Sequence, residues 1–226
     1  MLSRLPGYFE RNGFKNPDDA HDDPFQHTME TKLHYFDWLQ SKPKLQTAFN
    51  TTMGMQRMER GEDRFNFYPV EKKLLLKSSS EPLLVDVGGG RGYDLIAFRG
   101  KYPNLLGKLI LQDIPIVIDD IKDLPSGIEA MKHDFFYPQP VIGAKAYHSR
   151  TVLHDWPDKQ ILGNIRASMN KDSILLVNET AMPESNVPLY AAQLDWLMMT
   201  HFASLDRTRT QFKELLDSSR FELVRT

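Results

Sequence analysis

The stretch "LLVDVGGGRGYD", Leu83 to Asp94, restricts the possible folds more than any other part of the chain. Its first half is a continuous apolar run, which suits a strand buried on both faces within a parallel sheet. Four glycines within Gly88–Gly92 follow at once. They let the backbone turn sharply and let a ligand approach with no Cβ atoms in the way. "GRGYDLIAFRGKY" then reads as a helix. A tight strand-to-helix turn alone does not call for so many glycines.

The same alternation continues downstream. "GKLILQD", "IEAMKHDF", "GAKAYHSRTVL" and "SILLVNET" read as strands, with "FELVRT" as a last strand. "PIVIDDI", "PDKQILGNIRASM", "VPLYAAQLDWLMMTHF" and "RTRTQFKELLDSS" read as helices, with Pro157 near the start of the second. Alternating strands and helices imply parallel pairing, hence a doubly wound, mostly parallel Rossmann-like α/β sheet. Upstream, residues 31–60 read as two helices interrupted near Pro43. Residues 1–30 show no clean period and read as a linker or docking arm. The expected division is therefore an N-terminal arm with helices over 1–60 and a ligand-binding domain over 61–226.

Ligands of such sheets sit outside the carboxyl ends of the strands. That directs attention to Asp86 through Gly90, Asp113, Asp134, His154 and Glu179. A dinucleotide fingerprint, G-x-G-x-x-G, is excluded. Counting from Gly88 and Gly90 the third glycine position is Tyr93, and counting from Gly90 and Gly92 it is Leu95. The loop fits G-x-G-x-G preceded by Asp86. Asp113, at the end of the next strand, is placed to accept bonds from two ribose hydroxyls. A neutral or cationic adenosine ligand without pyrophosphate suits this pattern, which points to S-adenosylmethionine.

Composition removes other classes. A net charge of −2 and a pI near 6.4 provide no footprint for nucleic acid or an anionic membrane. No apolar run approaches the roughly 18 residues of a membrane span, and the N-terminus lacks the apolar core of a signal peptide. With no cysteine, disulfide and thiolate chemistry are impossible, which agrees with a cytoplasmic location. None of the seven histidines forms H-x-H, H-x-x-x-H or H-E-x-x-H, so no metal site is expected.

One histidine stands out. "TVLHDWPD" ends an apolar strand on His154-Asp155. Adjacent strand residues face opposite ways, so Asp155 is a poor partner for His154 if the strand continues through it. Glu179, at the end of the fifth strand, is the better candidate if the fourth and fifth strands pair. A histidine–carboxylate pair there would serve as a base. A phenol titrates near 10 and histidine near 6.5, so proton transfer is uphill by about 5 kcal/mol unless a carboxylate stabilises the imidazolium.

"LLVDVGGGRG", "LILQDIP", "HDFF", "LHDWPD", "LLVNETAMP" and "LDRTRTQFKELL" occur in the order and spacing of a known family. The chain resembles the S-adenosylmethionine-dependent O-methyltransferases of the caffeic acid O-methyltransferase type, and most of all their fungal secondary-metabolite branch. The resemblance implies transfer of a methyl group to a phenolic or enolic hydroxyl of a small aromatic metabolite. It implies that Gly88 and Gly90 lie under the cofactor, that Asp113 holds its ribose, and that Asp134 and Phe135 flank its adenine. Arg150 stands where the family usually has a lysine near the cofactor. The resemblance further implies that His154 is the base, Glu179 its orienting carboxylate and Asp206 a second, shorter one, and that His201 and Met198 line the substrate pocket. Asp206 also reads as a cap for a helix starting at Arg207. Against the family pattern, the chain is short at both ends and lacks the last strand, so a homodimer or a completing partner chain is an expectation. The alternative is a methyltransferase-like protein without methyl transfer, acting as a pericyclase, a dehydratase or an auxiliary subunit.

Overall fold

The computed structural model describes residues 2–59, 65, 68–156 and 159–224. Its helices are α1 (Leu5–Arg11), α2 (Pro24–Met29), α3 (Tyr35–Gln40), α4 (Pro43–Glu59), α5 (Val70–Lys73), α6 (Tyr93–Lys101), α7 (Pro115–Asp119), α8 (Lys159–Ser168), α9 (Leu189–Phe202) and α10 (Arg209–Ser218). Its strands are β1 (Pro82–Val87), β2 (Lys108–Asp113), β3 (Ile128–Lys132), β4 (Ala146–Arg150) and β5 (Ile174–Asn178). Packing groups these into two compact units in a way that does not follow the expected boundary at residue 60. One unit holds Thr52–Arg150, Lys159–Asn178 and Leu216–Thr226; the other holds Met1–Thr51, Thr151–Asp158 and Glu179–Leu215.

The first unit is the sheet. Its five strands run in the order β3-β2-β1-β4-β5, and every neighbouring pair is parallel. This is the doubly wound sheet expected from the sequence. The apolar run of β1 takes the central position, where Leu83, Leu84, Val85 and Val87 are each no more than 1% exposed. Leu95 and Phe98 of α6, Leu109 and Leu111 of β2, and Val70 and Leu74 around α5 form one core with Leu83 and Leu84. At about 25 cal/mol per Å² of buried apolar surface, such a core is the main force holding the sheet together. β3 is buried only at Ile128 and exposed at Glu129, Ala130 and Lys132, as suits an edge strand.

Two strand expectations change. β4 ends at Arg150, because Thr151 takes a left-handed backbone (φ 50°) that a β-branched residue rarely adopts. His154 therefore lies in a turn beyond the strand. Phe221–Val224 form no strand, and the last two residues of "FELVRT" lie outside the described ones. So does Pro157, expected at a helix start.

In the second unit, residues 1–30, read as a linker or docking arm, are helical in two places. α1 and α2 are short helices fixed by specific bonds in place of a long apolar period. Asp23 caps α2, accepting bonds from the Phe25 and Gln26 amides, while the Gln26 side chain accepts from the Asp23 amide. The Tyr8 hydroxyl donates to the Asp22 carbonyl at 2.9 Å. Phe25 is buried edge-on against Tyr35 and Trp38. Pro43 opens α4, where its missing N–H costs nothing. No helix among the described residues is long and apolar enough to cross a membrane.

Candidate functional site

In the sheet unit, the carboxyl ends of β1, β2 and β3 carry the expected donor residues. Gly88, Gly90 and Gly92 all have left-handed backbones, with φ of 71°, 61° and 78°. Gly89 is required for a different reason. A Cβ there would come within 2.5 Å of both Asp86 Oδ2 and Leu111 Cδ1. The Gly88 and Gly89 amides donate to the Gln112 carbonyl at 2.9 and 3.0 Å, which ties the bend to β2.

Asp113 is half-buried at the end of β2, and its two carboxylate oxygens accept the Gly90 and Ile114 amides, each at 2.8 Å. The His133 amide donates to the Asp113 carbonyl at 2.9 Å, which brings the end of β3 beside it. There Asp134 caps a turn through the Phe136 amide, and the Phe135 carbonyl accepts from Asn164 of α8. Gly88, Gly90, Asp113, Asp134 and Phe135 thus share one edge of one sheet. Arg150 is placed differently: it is buried at the end of β4 and ion-paired to Asp94 of α6 at 2.5 Å.

The sequence reading missed a second buried pair in this unit. β1 and β4 run in register with Asp86 opposite His148, and His148 Nδ1 lies 2.8 Å from Asp86 Oδ1. Burial would lower the His148 pKa, but the Asp86 carboxylate outweighs it and raises it. The signal for this pair lies only in strand register, since the two residues are 62 apart in the chain.

In the other unit, His154 is surrounded by acids. Its Nδ1 lies 3.0 Å from Glu179 Oε2 and 4.0 Å from Asp206 Oδ1, and its Nε2 lies 3.2 Å from Asp155 Oδ1. Asp155 is therefore a partner, because residues 153–155 form a turn and strand alternation does not apply to them. Glu179 is itself firmly held. Its Oε1 accepts the Val152 and Leu153 amides, both at 2.8 Å, leaving Oε2 for the imidazole. Burial lowers the His154 pKa, but Asp155 and Glu179 together outweigh it and raise it to about 10.

Asp206 sits at the limit of ion-pair range, as its shorter arm suggests, and burial raises its pKa. It is not the helix cap. Thr208 caps α10, exchanging bonds with Gln211. Arg207, also missed in the sequence, is buried and donates to the Leu153 carbonyl, so it braces the same turn.

His201 lies among Phe25, Tyr35 and Phe202, with ring centroids 6.0, 5.3 and 6.2 Å away, and burial lowers its pKa. Its Nδ1 is within bonding distance of the Leu197 carbonyl. Met198 is half-buried, and its carbonyl accepts the Ala203 and Ser204 amides at the end of α9. No cluster of metal-binding side chains occurs among the described residues.

One unit thus carries a parallel sheet with a glycine bend and Asp113 at its carboxyl edge, and the other a histidine held by carboxylates. The O-methyltransferase domain family matches residues 19–222, and the chain belongs to that family. The chain is 40% identical over 232 residues to the O-methyltransferase asqD of Emericella nidulans, a match covering 99% of this chain and 59% of that protein. A solved pericyclic reaction enzyme is 35% identical with a TM-score of 0.85, over 96% of this chain and 57% of its own. The structure of OxaC in complex with SAH and oxaline is 29% identical with a TM-score of 0.88, over 99% of this chain and 58% of its own. The chain thus spans less than three fifths of the length of each protein it matches here. S-adenosylmethionine is the cofactor of this family. The left-handed glycines of the bend and the carboxylate of Asp113 at the end of β2 fit that group.

Proposed function

We propose that this chain is the S-adenosylmethionine-binding and proton-removing part of an O-methyltransferase acting on a phenolic or enolic hydroxyl of a small aromatic metabolite. When bound, S-adenosylmethionine supplies a methyl group on an electrophilic sulfonium. Gly88 and Gly90 cradle it, Asp113 accepts its ribose hydroxyls, and Asp134 with Phe135 borders its adenine. His154 takes the hydroxyl proton at Nε2, Glu179 holds Nδ1 and stabilises the charge, and Asp206 adds a weaker electrostatic contribution. His201 and Met198 belong to the substrate side.

The observation that carries this reading is the clamp on His154. A carboxylate fixed by two backbone amides and bonded to Nδ1 orients the ring and, after Asp155 at Nε2, raises its proton affinity. Asp155 holds Nε2 in the free protein, so a substrate hydroxyl must displace it. Mass spectrometry of products from a phenol panel, with wild type and His154→Ala, tests the assignment. Methylated product from wild type and its loss in the variant are expected.

The likeness to a pericyclic reaction enzyme supports a second reading, in which the cofactor is held without methyl transfer. In that case the same panel gives products isomeric with their substrates, and S-adenosylmethionine is not consumed. The bond geometry of His154 and Glu179 favours methylation.

A further inference from the structure

We propose that His148 is a positioning residue for the donor site: by pairing with Asp86 directly beneath Gly89, it holds the Gly88–Gly92 bend in its ligand-binding shape. The proposal rests on the reading of that bend as the donor site. It adds a residue that lies outside the glycine loop and bears no motif.

The observations come from β1, β4 and the bend. Asp86 and His148 are each 1% exposed and stand opposite one another in the parallel register. One carboxylate oxygen of Asp86 takes the imidazole at 2.8 Å. The other, Oδ2, finds no hydrogen-bond partner among the described residues and lies where a Cβ on Gly89 would come within 2.5 Å of it. The carboxylate is thus pressed against the backbone of the bend and anchored on its far side by one ring. A buried carboxylate without a counter-charge is strongly unfavourable, so removing the imidazole leaves Asp86 to shift or to take up a proton. Either change reaches Gly89 first.

The charged groups facing His148 are Asp86 from β1, Asp94 from α6 and Arg150 from its own strand. Asp94 and Arg150 neutralise one another at 2.5 Å. Asp86 is left to His148, and only the protonated ring balances it. Because Asp86 raises the His148 pKa against burial, the charged pair persists at lower pH and is lost as pH rises through that raised value. Donor affinity should decline in the same direction.

Calorimetric titration of the whole chain with S-adenosylhomocysteine, with thermal unfolding of the same samples, tests this. His148→Phe is expected to weaken binding by about tenfold or more. Adding Asp86→Asn to it should recover part of the loss, because the uncompensated charge is gone. His148→Gln keeps an N–H donor for Asp86 but carries no charge, so it should bind with the weakened affinity of the wild type at alkaline pH, and with no pH dependence of its own. Unchanged affinity in His148→Phe with only a lower melting temperature would reduce the pair to a structural one and overturn the proposal. Should that variant not fold, superimposable pH profiles for wild type and His148→Gln would overturn it equally. Failure of wild type itself to bind would overturn the donor reading and this inference together.

Discussion

His154 holds its proton far more tightly than an ordinary histidine. In the free protein Asp155 and Glu179 raise its pKa to about 10, and Glu179, which stays on Nδ1 when a hydroxyl displaces Asp155, still reduces the roughly 5 kcal/mol that transfer from a phenol to free imidazole costs. A base of this kind is mostly protonated at neutral pH. Expected kcat/KM therefore rises about tenfold per unit between about pH 7 and 9, and levels off near 10. Asp155→Asn should move that limb to lower pH, and Glu179→Gln should lower kcat by about 100-fold or more, since the ring loses both its orientation and its charge partner. A pH–rate series on the three proteins checks both. Stability follows the same group. A folded-state pKa above the unfolded value of about 6.5 contributes stability that is complete below 6.5 and lost as pH rises through 10. His154→Ala should thus narrow the stability difference between pH 6 and pH 9, as read by urea unfolding.

At the scale of elements, the glycines separate function from tolerance. Gly89→Ala places a methyl group against Asp86 and Leu111 and should abolish binding of S-adenosylhomocysteine. Gly163→Ala, inside α8 with nothing within 4 Å of the new Cβ, should stabilise the chain by about 0.5–1 kcal/mol and leave binding intact. Calorimetry and thermal unfolding separate the two effects. The same elements show what the sequence could reveal. β1, β2 and β5 were legible because strands of a parallel sheet are short apolar runs, and the glycine bend was legible because it is local. α1 and α2 were not, since helices of seven and six residues rely on caps and tertiary bonds, such as those of Asp23 and Tyr8, more than on a period. The end of β4 was missed because the left-handed turn falls on a threonine, where a glycine would have announced it. That error also hid Asp155. The Asp86–His148 pair needed the register of two strands that are not consecutive in the chain.

For the whole molecule, donor binding to the folded state must appear as added stability. S-adenosylhomocysteine at 100 times its Kd should contribute about 2.7 kcal/mol, and Gly89→Ala should show none of it. The net charge of −2 matches a small-molecule role and predicts that added DNA leaves the melting temperature unchanged. α9 is apolar on most sides, and Leu189, Tyr190, Trp196 and Leu197 are exposed along it. The proposed chemistry rests on two residue sets, the bend with Asp113 and the clamp on His154. The most direct test is methyl transfer from isotopically labelled S-adenosylmethionine to a phenol, followed by mass spectrometry from pH 6.5 to 10 for wild type and His154→Ala. Labelled ether that increases with pH in wild type and is nearly absent in the variant is the predicted result. Equal, pH-independent labelling by the two proteins would contradict the account.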